Sequence, residues 1–305
     1  MKKHRMLINR FMKARDICKK NILITGANGF IGKAIQKRLL TAQYNIIEHD
    51  IENGDISSII LNYPNINHVF HLAALTYVPK SWENTFDYYK TNVMGTINVL
   101  ELCRKTDASL TFMSTYVYGV PEQILINENH TIAPNSPYNH SKVLGENSCE
   151  FYNKTFSTNI TVLRPFNIYG YGQSRDFLIP TIIEQFLDKN VNTVTVMDFE
   201  AKRDYLYIDD LIDVMTKTIE NKGFNIYNVG SGTSKSVLEI ILIVKQILKS
   251  SKPFESKHIV RKNEVSNMIA DITKIQQELK WNPRFTIEDG LKKMIDEMMW
   301  YATTR

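Results

Sequence analysis

The stretch SPYNHSK, Ser136 to Lys142, places a tyrosine and a lysine four residues apart. Residues at this spacing lie on the same face of a helix, so Tyr138 and Lys142 would project into one small volume. An ammonium beside a phenol favours the phenolate, which makes such a tyrosine a candidate general acid or base. The pair also occurs by chance on surface helices, so the rest of the chain must decide between the two interpretations.

The bulk properties indicate an ordinary globular protein. Its 305 residues, 43% apolar and 23% charged, suffice for two average domains or one large domain with a lobe attached. The three cysteines are far apart and form neither a disulfide framework nor a zinc spacing, which favours a reducing, cytoplasmic compartment. No apolar run reaches the length of a bilayer, so we expect neither an integral membrane protein nor a membrane partner.

The net charge of +5 comes from the N-terminal extension. Residues 1–20 hold eight Lys/Arg and one Asp, a net of +7, so the remaining 285 residues carry −2. A nucleic-acid-binding domain would carry its positive charge on the folded body, so we expect no nucleic-acid partner. The tail lacks the apolar core of a secretory signal. An amphipathic surface or targeting helix, a disordered extension and a start codon set too far upstream remain open, with Met6 and Met12 as alternative starts.

From Asn21 onward, short apolar runs alternate with helical stretches, which predicts an α/β fold with a Rossmann-like, doubly wound parallel sheet. Predicted strands are 21–25, 44–49, 68–74, 110–114 and 160–166, and one long helix is predicted over 85–104. After Gly170 the rhythm loosens, and strands 194–198 and 224–230 interleave with helices near 208–221, 236–249 and 287–301. We therefore expect a basic extension (1–20), a dinucleotide-binding domain with the catalytic residues (21–170) and a smaller C-terminal α/β substrate lobe (171–305).

A glycine-rich loop lies between the first predicted strand and the first predicted helix. In ILITGANGFIGKAI, glycines at positions 26, 29 and 32 permit a tight turn and close approach to a ligand, and the helix N-terminus would face a pyrophosphate. Asp50 closes the second predicted strand. A carboxylate there can bind the adenosine ribose hydroxyls and repel a 2′-phosphate, which favours NAD over NADP. The turn-like setting HDIENGD also suits a plain turn residue.

Together the motifs resemble the short-chain dehydrogenase/reductase superfamily. The Gly-x-x-Gly-x-x-Gly loop and Tyr-x-x-x-Lys are typical of the superfamily, and further motifs resemble its extended branch, the nucleotide-sugar epimerases, dehydratases and reductases. In chain order the motifs are TGANGFIG, HLAA, YYKTNVMGTINVLE, STYVYG, SPYNHSK, LRPFNIYG, RDYLYIDD and NVGSG. The resemblance covers about residues 21–300 and implies an NAD-dependent enzyme.

The resemblance implies that Tyr138 is the acid/base on a sugar hydroxyl or keto oxygen. Lys142, together with the positive nicotinamide of the oxidised cofactor, would stabilise the phenolate and bind the nicotinamide ribose. Ser114 matches the Ser/Thr that hydrogen-bonds the reacting oxygen, and so contacts substrate as well. The residues that the resemblance places against the cofactor are Gly26, Gly29, Phe30, Ile31, Gly32, Asp50, Asp55, Ile56, Leu72, Ala73, Ala74, Asn92, Tyr138, Lys142 and Pro165.

The positions after Ser114 bear on the reaction. Dehydratases that resemble this chain carry Asp-Glu, or a similar pair containing Glu, directly after the Ser/Thr, and these acids expel water. Here Thr115 and Tyr116 stand there, which disfavours a dehydratase. A 4-epimerase would oxidise C4 with tightly held NAD and return the hydride to the opposite face, whereas a 4-keto-6-deoxysugar reductase would perform only the return half with NAD(P)H. The missing carboxylates and Asp50 favour the epimerase. The short segment between Asp50 and Asp55 resembles the reductases.

On the substrate side, the resemblance implies a nucleotide-diphosphate sugar. Asn167 resembles an asparagine that contacts the phosphates or the sugar, and Glu264 resembles the acid that binds the nucleoside ribose. Arg203 and Arg261 resemble the residues that hold the diphosphate, a role that suits the planar, two-pronged guanidinium. Arg175 is a looser candidate.

The resemblance also implies a homodimer, since family members often dimerise through two long helices, here those near 85–104 and 138–155. The sequence shows no Cys/His/Asp cluster, so we expect no metal. The non-enzymatic alternative is a redox sensor or scaffold that only binds NAD(H). Intact Ser114, Tyr138 and Lys142 disfavour it.

Overall fold

Six parallel strands form the central sheet of the protein. The computed structural model describes residues 19–42, 44–259 and 266–303. Strands β2, β1, β3, β4, β6 and β11 lie side by side in this order, and each neighbouring pair is parallel. This confirms the predicted α/β, Rossmann-like sheet. In the described part of the chain the strands are β1 (Lys20–Thr25), β2 (Tyr44–His49), β3 (His68–His71), β4 (Ser109–Met113), β5 (Leu125–Ile126), β6 (Ile160–Pro165), β7 (Asn167–Tyr169), β8 (Val194–Val196), β9 (Lys202–Arg203), β10 (Tyr205–Tyr207), β11 (Phe224–Val229), β12 (Lys235–Ser236), β13 (Phe254–Ser256) and β14 (Ile269–Ala270).

Helices cover both faces of this sheet. Helix α1 packs against α7, and α4 packs against α5. Strand β1 shows the consequence for burial: Ile22 and Ile24 belong to the core on the α1 side, while Leu23 belongs to the core on the α4 side. Because consecutive strand residues point to opposite faces, a sheet covered twice requires this continuous apolar run. The helices are α1 (Phe30–Leu39), α2 (Val78–Glu83), α3 (Thr85–Tyr89), α4 (Gly95–Thr106), α5 (Pro137–Phe156), α6 (Leu178–Leu187), α7 (Ile208–Thr218), α8 (Val237–Ile247), α9 (Thr273–Leu279) and α10 (Ile287–Thr303).

Strand β11 lies in the main sheet, a position that the sequence pattern did not indicate. The sequence pattern assigned residues 224–230 to the smaller lobe, but Phe224–Val229 pairs along its whole length with β6 and forms an edge of the main sheet. Helix α7 supplies the crossover that returns the chain to this edge. The division of the chain at Gly170 stays a prediction.

The rest of the C-terminal half is built from two-stranded pairs and helices. Strands β7 and β10, β8 and β13, and β5 and β14 pair in parallel, while β9 and β12 pair antiparallel. The β5–β14 pair links the segment after β4 to the C-terminal half, and Val117, Tyr118, Ile126, Met268 and Ala270 form a small core there.

Two predicted elements have different limits. The long helix predicted over 85–104 is α3 and α4 joined by a π-helical turn, Lys90–Met94. The strand predicted over 68–74 ends at His71, because the backbone of the next residues turns to meet the glycine loop. None of the helices in the described ranges is both long and apolar enough to cross a bilayer.

Candidate active site

The glycine-rich loop turns sharply between β1 and α1. Gly26 has a φ of +70°, and its N–H donates to the His49 carbonyl of β2 at 2.9 Å. A Cβ at Gly26 would lie 2.7 Å from the Ala73 nitrogen, and one at Gly32 would lie 2.3 Å from the Gly26 carbonyl oxygen. Both positions therefore require glycine. Gly29 begins α1 without a capping side chain among the described residues, so the amides of this helix end suit an anion.

Asp50 lies beside this loop at the end of β2. Its carboxylate accepts hydrogen bonds from the Asn28 N–H at 2.7 Å and from its neighbour, the Ile51 N–H, at 2.8 Å. A carboxylate offers about four acceptor positions, so it retains capacity for a hydroxyl pair. The short connection to Asp55 is a single 3-10 turn, Ile51–Asn53.

Asp55 and Ile56 come directly after this turn and Gly54. The Asp55 carboxylate accepts from the N–H and the hydroxyl of Ser57 and pairs with Lys90 at 3.1 Å. The two Ser57 bonds, with Lys90 adding to them, lower the pKa of Asp55 to about 2. Ile56 is buried against Gly95 at the start of α4. This pair therefore lies between the Asp50 turn and the helices that carry Asn92.

The segment from Leu72 to Ala74 packs against the glycine loop. The Thr25 hydroxyl accepts hydrogen bonds from the Leu72 N–H at 3.2 Å and the Ala73 N–H at 3.3 Å, and lies 2.8 Å from Nδ1 of His71. Nε2 of His71 lies 3.1 Å from the Thr96 hydroxyl. Burial lowers the pKa of His71 to about 3, so this ring is neutral and serves the packing of the strand ends.

Asn92 joins this segment to the helix that carries Tyr138. Its side chain accepts from the Leu75 N–H at 2.9 Å and donates to the Leu75 carbonyl at 3.0 Å and the Ser141 hydroxyl at 2.9 Å. Ser141 in turn donates to the Tyr138 carbonyl at 2.7 Å. Asn92 lies in the π-helical turn, a feature frequently found at functional sites, and it is buried. Asn92 thus ties the backbone at Leu75 to the N-terminal end of the helix that carries Tyr138.

Tyr138 lies in the first turn of α5, whose N-terminus is capped by the Ser136 hydroxyl. Its ring is buried and packs edge-on against Tyr88, with ring centroids 6.3 Å apart. Burial raises the pKa of Tyr138 to about 12, Tyr88 adds to this, and a hydrogen bond with the Thr115 side chain opposes it. Burial thus favours the neutral phenol, so a base role requires a positive charge close to the ring.

Lys142 lies one turn further along the same helix and is also buried. Its ammonium donates to the Met113 carbonyl at 2.8 Å and lies 5.1 Å from the centre of the Phe112 ring. Burial lowers the pKa of Lys142 to about 8, with Cys149 and Glu146 opposing. Lys142 therefore links helix α5 to the end of strand β4.

Ser114 follows β4 and faces the same helix. Its N–H donates to the Leu163 carbonyl at 2.8 Å, and its hydroxyl donates to Oε1 of Glu146. Glu146 forms a buried ion pair with Arg164 of β6, with 2.6 Å between Oε2 and Nη2. Ser114, Tyr138 and Lys142 thus lie where the end of β4 meets helix α5. The Ser114 hydroxyl contacts a carboxylate, Glu146, that the motifs did not indicate.

Thr115 and Tyr116 occupy the two positions where related dehydratases carry acids. Thr115 contacts Tyr138, and the Tyr116 hydroxyl donates to the Gly119 carbonyl at 2.8 Å. The Tyr116 ring packs on Phe166, with centroids 5.3 Å apart. Burial raises the pKa of Tyr116 and the nearby Arg203 opposes this, so the side chain is a neutral phenol.

The predicted substrate residues are only partly brought together. Asn167, half-buried on β7, donates through its side chain to the Asp204 carbonyl at 3.2 Å. Arg203 lies on β9 next to Asp204 and close enough to Tyr116 to lower its pKa. Arg175 is largely exposed and pairs with Glu184 at 2.8 Å. Arg261 and Glu264 lie outside the described residues, and so do residues 1–18 of the basic extension.

Phe30, Ile31 and Pro165 complete the predicted cofactor set. Phe30 and Ile31 are half-buried in the first turn of α1 and pack against the core on that side of the sheet. Pro165 is buried at the end of β6, beside β11. Phe30 and Ile31 thus follow the glycine loop directly, whereas Pro165 ends a strand that lies three places away from β1 in the sheet.

Three buried charged residues that make hydrogen bonds in or beside the site were not predicted from the sequence. Glu146 lies eight residues after Tyr138, on the same side of α5 as Lys142, a spacing that the helical periodicity could have revealed. Arg164 stands in the apolar run ITVLRPF, where a buried charge requires a partner. Asp204 is fully buried and accepts from Ser231, Gly232 and Ala270, contacts that no local pattern indicates.

Known proteins share this architecture and sequence. The family described as GDP-mannose 4,6 dehydratase matches residues 40–294. A protein of Methanocaldococcus jannaschii with the provisional name UDP-glucose 4-epimerase is 31% identical, over 91% of this chain and 98% of the relative. GDP-6-deoxy-D-talose 4-dehydrogenase of Aggregatibacter actinomycetemcomitans is 30% identical, over 91% of this chain and 96% of the relative.

A solved structure gives the same result at the level of the fold. MoeE5 in complex with UDP-glucuronic acid and NAD superposes with a TM-score of 0.85 at 25% identity, over 93% of this chain and 100% of MoeE5. The sequence match spans most of the chain, and the structural match includes the doubly wound sheet. The resemblance identified from the motifs is thereby confirmed. The chain belongs to the GDP-mannose 4,6 dehydratase family, enzymes of the extended short-chain dehydrogenase/reductase type that include nucleotide-sugar epimerases, dehydratases and reductases.

Proposed function

We propose that this enzyme is a nucleotide-sugar 4-epimerase that acts by transient oxidation at C4. The observation that carries the proposal is the neutral pair Thr115 and Tyr116 beside Ser114 and Tyr138. Elimination of water from a keto sugar needs an acid and a base in addition to the group that serves hydride exchange. Epimerisation needs only the latter, since the ketone turns over and is reduced on its other face. The 31% identity to a provisionally named UDP-glucose 4-epimerase supports this choice.

The described residues fit an NAD cofactor. The crowding around Gly26 and Gly32 keeps the loop backbone tightly turned, and the uncapped start of α1 suits a pyrophosphate. Asp50 stands beside the loop with acceptor capacity for the adenosine ribose and disfavours a 2′-phosphate. When bound, NAD would accept the hydride from C4 and return it. MoeE5, which has the same fold, was solved with NAD.

We assign the catalytic roles to three side chains that lie where the end of β4 meets helix α5. Tyr138 takes the proton of the C4 hydroxyl during oxidation and returns it during reduction. Lys142 lies on the same helix face, and we assign to it, by resemblance to the family motif, the positive charge that a phenolate at Tyr138 requires. By motif resemblance Ser114 orients the reacting oxygen from the end of β4, for which its hydroxyl must turn away from Glu146, to which it donates in this structure. Each of these groups is buried, which excludes water from the proton transfer.

The proposed substrate is a nucleotide-diphosphate sugar. Arg203 lies close enough to Tyr116 to oppose the rise of its pKa and is suited to a diphosphate oxygen. Asn167 bonds to the carbonyl of Asp204, the residue that follows Arg203. Arg261 and Glu264 are assigned the second diphosphate contact and the nucleoside ribose by motif resemblance alone. UDP-glucuronic acid, bound by MoeE5, and the substrates named for the relatives define the class to test first.

A second candidate is an NAD(P)H-dependent 4-keto-6-deoxysugar-nucleotide reductase. The specific observation is the compact 3-10 turn Ile51–Asn53 between Asp50 and Asp55, which resembles the reductases. GDP-6-deoxy-D-talose 4-dehydrogenase, which is 30% identical, supports this candidate. Its residue roles would be the same, with only the reductive half-reaction performed.

We propose a homodimer because the helices that the family resemblance assigns to a dimer interface carry exposed apolar residues. Phe86 is 77% exposed, Met94 48% and Phe151 58%, and all three lie on or beside helices α3 to α5. Burying such side chains against a second copy would contribute favourably to association. Light scattering at micromolar concentration should give twice the chain mass, and a monomer would contradict the proposal.

The deciding experiment is to purify the protein without added cofactor and to identify the nucleotide that it releases on denaturation. Near-stoichiometric NAD, followed by interconversion of C4 epimers of a UDP-sugar with no net change at 340 nm, is the expected result. A protein that arrives empty, binds NADPH or NADH reversibly and consumes it with a 4-keto-6-deoxysugar nucleotide would establish the reductase. Failure to turn over either substrate class would overturn both.

A further inference from the structure

We propose that Tyr77 and Phe177 form an aromatic bridge across the candidate site, and that the sugar ring of the substrate packs against this bridge. The proposal rests on the proposed function, because it takes the substrate to be a nucleotide-diphosphate sugar. Tyr77 lies in the segment after β3 and Phe177 in the segment after β7, yet their rings meet edge to face with centroids 6.4 Å apart. Aromatic rings at this separation attract each other, so the contact joins the two segments.

The order of the strands places the aromatic bridge across the carboxyl end of β4. In the sheet, β4 lies between β3 and β6. Tyr77 follows β3, and β7, which leads to Phe177, begins directly after β6. A contact between these two segments therefore spans the strand end that Ser114 follows. Parallel α/β sheets bind their ligands at the carboxyl ends of the strands, so the bridge covers the place where we expect the substrate.

Tyr88 places the Tyr77 end of the aromatic bridge close to the proposed acid/base. The Tyr88 hydroxyl donates to the Tyr77 carbonyl at 2.5 Å, and the Tyr88 ring packs edge-on against Tyr138 with centroids 6.3 Å apart. In the proposed function Tyr138 acts on a sugar hydroxyl, whereas the nucleobase lies at the other end of the diphosphate. The part of the substrate nearest to the bridge is therefore the sugar.

Both rings of the aromatic bridge are held at the start of a helix. Tyr77 directly precedes α2, and Phe177 directly precedes α6. The Phe177 N–H donates to the Ser174 carbonyl at 3.2 Å, and the Phe177 carbonyl accepts from the Thr181 N–H at 3.1 Å. Because the backbone is fixed at both ends, the rings need little ordering when a ligand binds, which favours affinity.

The exposed surface of the aromatic bridge suits the apolar face of a sugar ring. Phe177 remains 37% exposed and Tyr77 is half-buried, although the two rings are in contact. A hexose ring carries C–H groups on its faces, and covering them with aromatic carbons removes apolar surface of both partners from water. A diphosphate would instead require charged or N–H donors, which the two rings do not offer. We therefore assign the bridge to the sugar and not to the diphosphate.

The test compares a nucleoside diphosphate with its sugar derivative by calorimetric titration of the NAD-loaded protein. The probes are UDP with UDP-glucose and GDP with GDP-mannose, and the pair that the protein binds is used. All titrations are done in the Tyr138→Phe background, so that the sugar is not converted. We expect Phe177→Ala to weaken binding of the sugar nucleotide about tenfold and of the diphosphate less than about twofold. The retained affinity for the diphosphate also shows that the variant is folded.

Two variants serve as controls. Tyr77→Phe keeps the ring and should change either affinity less than about twofold. Phe156→Ala is the matched control, because Phe156 is also exposed and pairs with Tyr152 at 5.1 Å between centroids, but it ends α5, far along the helix from Tyr138. It should leave both affinities unchanged. An equal loss of diphosphate and sugar nucleotide in Phe177→Ala, or no loss of the sugar nucleotide, would overturn the proposal.

Turnover measured with Tyr138 intact keeps this proposal and the proposed function distinguishable. A selective loss of sugar affinity in a protein that converts no nucleotide sugar would overturn the proposed function and support the aromatic bridge. Conversion of a nucleotide sugar, with its affinity unchanged by Phe177→Ala, would overturn the bridge alone. If neither probe pair binds, both proposals fail.

Discussion

The cofactor side and the substrate side of the candidate site are built in different ways. On the cofactor side, the glycine loop, Asp50 and the Leu72–Ala74 segment follow the ends of three adjacent parallel strands and are joined by short backbone contacts. On the substrate side, Asn167 and Arg203 lie on two-stranded pairs, and one buried carboxylate, Asp204, ties the surrounding segments together.

The difference concerns the groups that hold distant segments together. On the substrate side a side-chain carboxylate does so: the groups that bond to Asp204 lie 27, 28 and 66 residues away, in Ser231, Gly232 and Ala270. On the cofactor side backbone groups of adjacent strand ends meet, as the Gly26 N–H meets the His49 carbonyl, and the turn also needs the positive φ of Gly26. We therefore expect changes on the cofactor side to affect NAD binding alone and changes on the substrate side to affect KM alone. The following predictions test that separation.

The largest effect is expected where the two sides meet. Tyr138→Phe should lower turnover by about a thousandfold or more, since it removes the proposed acid/base group. The affinity for NAD and the KM for the sugar should change little, because the ring and its packing against Tyr88 are kept. Steady-state kinetics and calorimetric NAD titration measure this. Wild-type turnover would refute the role of Tyr138.

On the cofactor side, Gly26→Ala should weaken NAD binding more than tenfold, because the new Cβ would lie 2.7 Å from the Ala73 nitrogen. Gly223→Ala is the matched control: Gly223 also has a positive φ, +69°, but no atom lies within 4 Å of the position of its Cβ. Both variants should lose about 1 kcal/mol of stability from backbone strain. If Gly223→Ala weakens NAD binding equally, the close approach is not the cause.

On the substrate side, Arg203→Ala should raise the KM for the nucleotide sugar about tenfold, as expected for loss of a charge-assisted hydrogen bond to phosphate. NAD affinity should stay unchanged. Lys202→Ala, the exposed neighbour on the same strand, serves as the control for charge and should change KM less than about twofold. Loss of NAD binding in Arg203→Ala would show that the two sides are not separable.

The smallest expected effect is a pH dependence on the cofactor side. The pKa of Asp55 is lowered from 3.8 to about 2 by Ser57 and Lys90, so the ionised form contributes stability above the unfolded pKa. That contribution is lost as the pH falls from about 4 toward 2. Urea unfolding should therefore show Asp55→Asn less stable than wild type near neutral pH, with the gap closing on acidification. A gap independent of pH would contradict this account.

The fold was predictable where the pattern is local. Ile22, Leu23 and Ile24 indicate a strand buried on both faces, and the three glycines after them mark the turn into α1. Strand β11 was misplaced because its partner, β6, lies some sixty residues earlier and no periodicity records that pairing. The break within 85–104 was missed because a single π-helical turn of five residues, Lys90–Met94, is too short to show a periodicity of its own between two α-helices.

The candidate site, too, was predictable only where its residues are close together in the sequence. The spacing of Tyr138 and Lys142 predicts a shared helix face, and the structure places both, buried, on α5. The partner of Ser114 was not predictable, because Glu146 and Arg164 come from a helix and a strand that follow it by 32 and 50 residues. The sequence analysis used Thr115 only as evidence that a carboxylate is absent at this position, but its side chain contacts Tyr138.

The sequence by itself determined the family and the glycine turn and named the residues proposed for proton transfer, because these depend on backbone conformation and on spacings within short motifs. Only the tertiary structure decided which buried charges meet. Glu146 reaches Ser114 and Arg164, and Asp204 binds two distant segments, Ser231–Gly232 and Ala270, because folding buries both carboxylates and an unpaired buried charge would be strongly destabilising.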